Sequence, residues 1–396
     1  MLIIGIDGAS PKVAGPMLKE GRLPNLARIA EQGVSGRLRS VLPLYSPRIW
    51  TTIATGRKPA DHGIIAFVKK SDSDDKQLYL SDDRKVPALW NILSSQGRSV
   101  GVVNWWTTFP LEKIDGVMVS DHFFPEQVQM IKQTFKDARE TSGALVYPES
   151  WSERAEALIA DRSPVTEIAN PFAGTITLPH WANIRFLTEQ FETDGDITRV
   201  TRGLSADFDL DVTMVLLPGL DRVSHWLWGN LEPAHLYPEA LQPNAEERVG
   251  GAEALRVYYE YVDRLVGLLS TDYGPDDLVI VMSDHGFEAG RGMGLLSGVH
   301  ESEAAIDGVF FAAGAGIRPG APVGELGMAD LTPTILAWLG IPIAEDMDGR
   351  PGAFVAASET GTVPTHGAAP VARMELRPSG AEDEIVEQLK SLGYLE

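Results

Sequence analysis

The chain has 396 residues, with 34 basic and 55 acidic side chains, a formal net charge of −21 and no cysteine. The missing thiols exclude disulfide frameworks, thiolate zinc sites, iron–sulfur clusters and cysteine nucleophiles. The acidic balance repels phosphate backbones, so no nucleic acid duplex is expected as a partner. At 44% hydrophobic and 22% charged residues the composition is that of a folded globular chain with a large core.

Leu2–Ile6 reads as a buried first strand; it is too short, and lacks the basic leader, to be a signal peptide. No run of about 18 apolar residues occurs, so no membrane span is expected, and a cytoplasmic enzyme is the expectation. Leu26–Glu31 reads as helical and is expected to stop at Gly33. Arg37–Leu42 alternates like a strand. Ser46-Pro47 then opens a helix, with Ser as the expected N-cap and Pro at the first helical position. Ala88–Ser95 is helical up to Gly97, and Ser99–Val103 is a strand. Val212–Leu217, Leu278–Met282 and Val309–Ala312 are apolar, β-branched runs of the kind covered on both faces. Thr332-Pro333 opens a late helix that closes at Gly340. The alternation predicts an α/β fold with a largely parallel central sheet flanked by helices.

The expected organisation is a discontinuous core, residues 1–122 and 208–350. A helix-rich inserted cap, 123–207, lacks a convincing central strand. Residues 351–396 form a tail, with a surface loop to about Pro370 and a short amphipathic helix near Ala381–Leu392.

Acids and histidines collect just after strands. Asp7 follows the first strand, Asp221 and His225 follow Val212–Leu217, and Asp284 and His285 follow Leu278–Met282. Sites of open α/β sheets form at the carboxyl ends of strands. His300 precedes its strand instead, and reaches the same edge only if that strand runs antiparallel. Taken singly, each residue has an ordinary role as a cap, a helical pair or a turn; three strand ends agreeing is another matter. Five or six N/O ligands without sulfur suit zinc, manganese or iron, and are enough for two sites. Two cations about 4 Å apart clamp in-line displacement at phosphorus. Ser46 stands where a nucleophile is needed, after a strand and at a helix start whose free N–H groups favour an anion.

These segments resemble the alkaline phosphatase superfamily, in its type I phosphodiesterase / nucleotide pyrophosphatase branch. They are Ile3-Ile-Gly-Ile-Asp7-Gly8, Leu42-Pro-Leu-Tyr-Ser46-Pro-Arg-Ile-Trp-Thr-Thr-Ile-Ala-Thr-Gly56 with His62-Gly-Ile after it, Leu217-Pro-Gly-Leu-Asp221-Arg-Val-Ser-His225, Met282-Ser-Asp284-His285-Gly286, Gly298-Val-His300-Glu301, and Asp330-Leu-Thr-Pro-Thr-Ile-Leu-Ala-Trp-Leu-Gly340. The resemblance runs from Met1 to about Gly349 and is poor across the inserted region. It implies an alkaline-phosphatase-like fold and two zinc ions, with Mn2+ as the other candidate. One metal would use Asp221, His225 and His300. The other would use Asp7, Asp284, His285 and the Ser46 oxygen. It further implies in-line attack by Ser46, where the branch usually has Thr, and a phosphoseryl intermediate.

One position departs. Where the nucleotide pyrophosphatases carry a phosphoryl-binding Asn, this chain has Phe67. Losing one preorganised donor costs about 3 kcal/mol of transition-state stabilisation, so a substitute is expected among Arg48, Asn104 and Thr107 or the helix N–H groups near Ser46. Trp105-Trp106, Trp226 and Trp228 are expected to pack the fold; the second reading is that they face the metals and stack a base or hold an apolar leaving group, with Trp106 as the named substrate contact. Asp121-His122 echoes Asp284-His285 without a counterpart in the resemblance. Sulfatases build their nucleophile within Cys/Ser-x-Pro-x-Arg, a spacing that Ser46-Pro47-Arg48 does not have. The expected substrate is a small-molecule phosphate diester or pyrophosphate. The alternative is a phosphomonoesterase on the same two metals. Oligomeric state is not written in the sequence.

Overall fold

A computed structural model describes residues 1–69, 78–124, 144–290, 298–355 and 361–367. The expected helix near Ala381–Leu392 and the acidic run Asp72–Asp75 lie outside the described residues.

The order of elements begins with β1 (Leu2–Ile6), α1 (Pro11–Lys19), α2 (Pro24–Gln32), β2 (Gly33–Arg39), α3 (Ser46–Thr55), α4 (Pro59–His62), α5 (Leu89–Ser95), β3 (Val100–Val103) and β4 (Gly116–Val119). It continues with β5 (Val146–Tyr147), α6 (Ser152–Ala160), α7 (Ile184–Asp207), β6 (Val212–Leu217), α8 (Gly219–Leu227) and α9 (Ala245–Leu269). Then come β7 (Leu278–Met282), β8 (Glu288–Ala289), β9 (Gly298–Val299), β10 (Asp307–Gly314) and α10 (Leu331–Leu339). Eight strands form one sheet in the order β2-β10-β7-β1-β6-β3-β4-β5. Strands β7, β1, β6, β3 and β4 run parallel, while β10 is antiparallel to both of its neighbours and β5 is antiparallel to β4. The mixed sheet with a parallel centre is the predicted fold class.

Period-two alternation explains why both faces are covered. Leu2, Ile4 and Ile6 point into a core with α1, α2, α7, α8 and α9, whereas Met1 and Ile3 point into a second core with α3, α5 and α10. No helix among the described residues is long and apolar enough to cross a membrane.

Several local expectations are corrected. Helix α2 does not end on a left-handed glycine: Gly33, at φ −152° and ψ −122°, begins β2 directly. Glycine is needed there because a Cβ would lie 2.0 Å from the Ala312 carbonyl oxygen across the sheet. Strand β2 therefore starts earlier than the alternation suggests and ends at Arg39. Tyr45, not Ser46, is the N-cap of α3; Ser46 is the first helical residue, and its hydroxyl is not the cap. Within 123–207 the strand β5 joins the sheet edge, and α7 packs on β3 and β6. In the tail, Phe354 and Val355 are buried, with Phe354 against Phe310, so the chain just after 351 is not all surface.

Candidate active site

The parallel strands β1, β6 and β7 end at one edge of the sheet and each delivers polar side chains there. Asp7 follows β1, with its N–H on the Leu217 carbonyl at 2.9 Å. After β6, α8 begins at Gly219 and carries Asp221 in its first turn and His225 one turn later. Asp284 and His285 follow β7. Because β10 is antiparallel to β7, the segment leading into it, with His300, reaches the same edge. That was the condition for His300 to join the others.

Asp221 Oδ1 lies 3.6 Å from His225 Nε2 and 3.6 Å from His300 Nε2, and the two imidazole nitrogens are 3.3 Å apart. His285 Nε2 lies 3.5 Å from Asp7 Oδ1 and 3.4 Å from Asp284 Oδ2. The two groups meet where His285 Nε2 stands 3.8 Å from Asp221 Oδ1. Donors held 2.0–2.2 Å from one tetrahedral cation are separated by about 3.3–3.6 Å, so both triads have the spacing of a metal site. The second atom of each ligand is anchored. Asp284 Oδ1 accepts the Gly8 N–H at 3.1 Å, and Asp7 Oδ2 accepts the indole N–H groups of Trp50 and Trp106 at 3.1 and 3.2 Å. Nδ1 of His225 faces the Gly298 carbonyl at 2.9 Å and Nδ1 of His285 faces that of Gly286 at 3.0 Å. Those contacts put the proton on Nδ1 and the lone pair on Nε2, the tautomer a ligand needs.

Burial pushes the carboxyl groups of Asp7 and Asp284 up, Asp284 further because Asp7 is beside it. Burial likewise pushes the His285 imidazole down to about 4 and His300 well below its ordinary range. Asp7 and Asp284 each approach the His285 imidazole, and Asp221 approaches those of His225, His285 and His300. Asp7 Oδ1, Asp284 Oδ2 and His285 Nε2 are buried without a hydrogen-bond partner. Buried carboxylates need a cation or a proton. The donor set and its spacing fit divalent cations.

Ser46 is buried at the first turn of α3. Trp50, one turn further along that helix, is the residue that reaches Asp7. The backbone of Leu44, just ahead of the helix, contacts the His300 imidazole. Helix α3 thus meets the Asp7 group through Trp50.

The sequence profile described as type I phosphodiesterase / nucleotide pyrophosphatase matches residues 1–320. The chain belongs to this family. Its members are metal-dependent phosphoric ester hydrolases, in keeping with two buried groups that could hold a cation, Asp221–His285–His300 and Asp7–Asp284–His285, which share His285. No curated protein sequence matches the chain. Among solved structures it is similar to BT1596, a 2-O GAG sulfatase, with a TM-score of 0.57 and 15% identity over 89% of this chain and 72% of that one. It is also similar to a mutant of the alkaline phosphatase PafA, with a TM-score of 0.54 and 11% identity over 90% and 99% of the two chains. A phosphonoacetate hydrolase from Sinorhizobium meliloti 1021, in complex with phosphonoformate, aligns at a TM-score of 0.46 and 17% identity over 73% of this chain, which spans 56% of that enzyme's length. At such identities the likeness is one of fold.

Phe67, expected at the position of the nucleotide pyrophosphatases' phosphoryl-binding Asn, is buried edge-on between Tyr45, at 5.9 Å, and Trp106, at 5.8 Å. The side chains expected to replace that Asn are engaged by the scaffold. Arg48 Nη1 donates to the carbonyls of Val41 and Pro43, Asn104 Nδ2 donates to the Leu216 carbonyl, and Thr107 Oγ1 bonds the Trp106 carbonyl and Thr51 Oγ1. Asp121 accepts from the Thr107 N–H and from the Thr108 hydroxyl, and His122 stacks on Phe109 at 4.4 Å, so this pair braces the loop after β3. Trp105 and Trp228 pack, as expected.

Three contributors escaped the sequence reading. Trp50 lies one helical turn after Ser46, which is the one sequence signal for it. Phe287, two residues after His285, packs against the rings of His225, His285 and His300 at 5.1, 5.8 and 5.4 Å. Gly8, at φ +73°, admits no side chain, because a Cβ would lie 2.8 Å from the Asp221 Cα.

His62 shows how the wall behind α3 is kept polar but uncharged. Its Nδ1 accepts the Ile64 N–H at 3.2 Å, so Nε2 carries the proton and faces Thr52 Oγ1 at 3.0 Å. Burial, helped by Arg84, Arg48 and Arg57, pushes it from 6.5 down to about 3. Below pH 6.5 the unfolded chain takes up a proton that the fold refuses until about pH 3. Stability is therefore complete above 6.5 and is lost as pH falls, by about 1.4 kcal/mol per pH unit from this group. Urea unfolding of the wild type and His62→Gln between pH 7 and 4 should show that extra slope only in the wild type.

Proposed function

We propose that the chain hydrolyses small-molecule phosphate diesters or pyrophosphates, with Ser46 as nucleophile and two divalent cations, zinc in the first place, as cofactors. Asp221, His225 and His300 would hold one cation, and Asp7, Asp284 and His285 the other, beside the Ser46 oxygen. The observation that carries this reading is the pair of adjoining triads with ligand-like spacing at the sheet edge where α3 begins. Bound there, the two cations supply positive charge to the phosphoryl oxygens and lower the pKa of the serine hydroxyl.

The chain's own groups do the rest. Ser46 Oγ, its proton released to solvent, forms a bond to phosphorus as the bond to the leaving ester oxygen breaks, and the leaving group takes up a proton from solvent. Water then cleaves the phosphoseryl ester and restores the hydroxyl. Backbone N–H groups in the first turn of α3 favour the phosphoryl oxygens. His225 and His285 keep Nε2 toward the site, with Nδ1 on the Gly298 and Gly286 carbonyls.

The wall of Tyr45, Phe67 and Trp106 favours a diester over a monoester. A dianionic monoester calls for polar donors to its terminal oxygens, and the second ester arm of a diester is better matched to apolar surface. The test is turnover of bis-p-nitrophenyl phosphate against p-nitrophenyl phosphate on protein whose metals have been counted. The diester is expected ahead by about tenfold or more, worth about 1.4 kcal/mol of transition-state binding. The reverse order would replace this reading by the phosphomonoesterase one.

A further inference from the structure

We infer that Trp50 and Trp106 are positioning residues whose indole N–H groups confine Asp7 to one-oxygen coordination, leaving a position open at that cation. The inference rests on the two-cation reading above. Both indoles donate to the same atom, Asp7 Oδ2, and they come from different elements: Trp50 from α3 and Trp106 from the loop after β3. A carboxylate oxygen has two lone-pair directions, and here both are taken. Oδ1 remains, buried without a hydrogen bond, 3.5 Å from His285 Nε2. Asp284 is treated alike, since Gly8 N–H occupies its Oδ1 and leaves Oδ2 inward. These three side chains would therefore offer a cation two oxygens and one nitrogen. For Asp7 to add its second oxygen, two largely enclosed N–H donors would have to lose their acceptor.

The backbone is built around this contact. Among the described residues, Asn104 and Thr107, on either side of Trp105-Trp106, are the non-glycine residues with positive φ, at 58° and 59°. Such strain persists only where surrounding contacts impose it, and it gathers at functional sites. Here Asn104 is tied to Leu216 and Val119, and the Thr107 N–H to Asp121. What the strained loop delivers is the Trp106 indole. Trp105 in turn steadies Trp50, with its N–H on the Trp50 carbonyl at 3.2 Å and its ring edge-on at 5.1 Å. Residue 5 must be glycine, because a Cβ would lie 2.6 Å from the Trp50 ring.

Trp50 is fully buried and Trp106 is half-buried, so Trp106→Phe is the variant to make: it keeps a ring beside Phe67 and removes the N–H. The probe is zinc, titrated against a chromophoric chelator on the full chain, with cobalt(II) loading as a second readout. The wild type should hold two zinc ions. Trp106→Phe should weaken one of them by roughly 10–100-fold, the range for a lost partner behind a metal ligand, and leave the other unchanged. Its cobalt spectrum should lose visible intensity as Asp7 adds a second oxygen and the coordination number rises. Phe67→Leu, which loosens the same aromatic cluster without touching Asp7, should retain both ions. If Trp106→Phe holds both zinc ions as the wild type does, or if Phe67→Leu loses one equally, the positioning role is wrong. If the wild type itself binds no zinc, it is the two-cation reading that falls.

Discussion

Ser46→Ala should lose turnover by roughly ten-thousand-fold or more, the scale seen when a nucleophile is removed from an intact site. Its metal content should stay near that of the wild type, because all three side chains of each triad remain. The structure makes this substitution clean. Ser46 is the first residue of α3, the N-cap is Tyr45, and the helix does not depend on the serine hydroxyl for its start. Helix stability and the Trp50 contact to Asp7 should therefore survive, which steady-state kinetics, metal analysis and thermal unfolding would show together. Full activity in Ser46→Ala would remove the covalent mechanism and leave water as the attacking group.

The second large effect is expected at His300. His300→Ala removes one of three donors around Asp221 Oδ1 and also the ring stacked on His285 at 3.9 Å. Losing a partner behind a ligand already costs 10–100-fold in metal affinity, so losing the ligand itself should exceed about 100-fold at that centre. The other centre keeps Asp7, Asp284 and His285 and should stay occupied. Metal counting after dialysis should then give one ion per chain where the wild type gives two. Because a bound ion stabilises only the folded state, the wild type should also unfold at higher temperature with zinc than after chelation, and the variant should show a smaller difference. Two tightly held ions in His300→Ala would overturn the assignment of this residue.

The carboxylates and imidazoles were legible in the sequence because of where they stand. Strand runs such as Leu278–Met282 are recognisable from composition alone, and the residues just after a parallel strand can only lie at its carboxyl edge. Asp7, Asp221, His225, Asp284 and His285 follow from that rule. His300 does not, and the sequence left it conditional on the direction of β10, which pairing across the sheet decides. The phosphoryl-donor candidates were less legible. Arg48, Asn104 and Thr107 sit near the right segments, but distance along the chain says nothing about whether a donor is already engaged by a carbonyl.

Readable from the chain alone are the α/β alternation, the ends of most central strands and helices, and the residue types gathered at one edge. These are local properties, set by side-chain periodicity and by the backbone preferences of Gly, Pro and Ser. Packing settles that Gly33 starts a strand, that Tyr45 rather than Ser46 caps α3, and that two-residue β5 joins the sheet. It alone decided that two indoles from distant segments converge on one oxygen of Asp7. Those outcomes depend on which surfaces meet after the chain closes on itself, and a contact between residues 7, 50 and 106 leaves no periodic trace in the sequence around any of them.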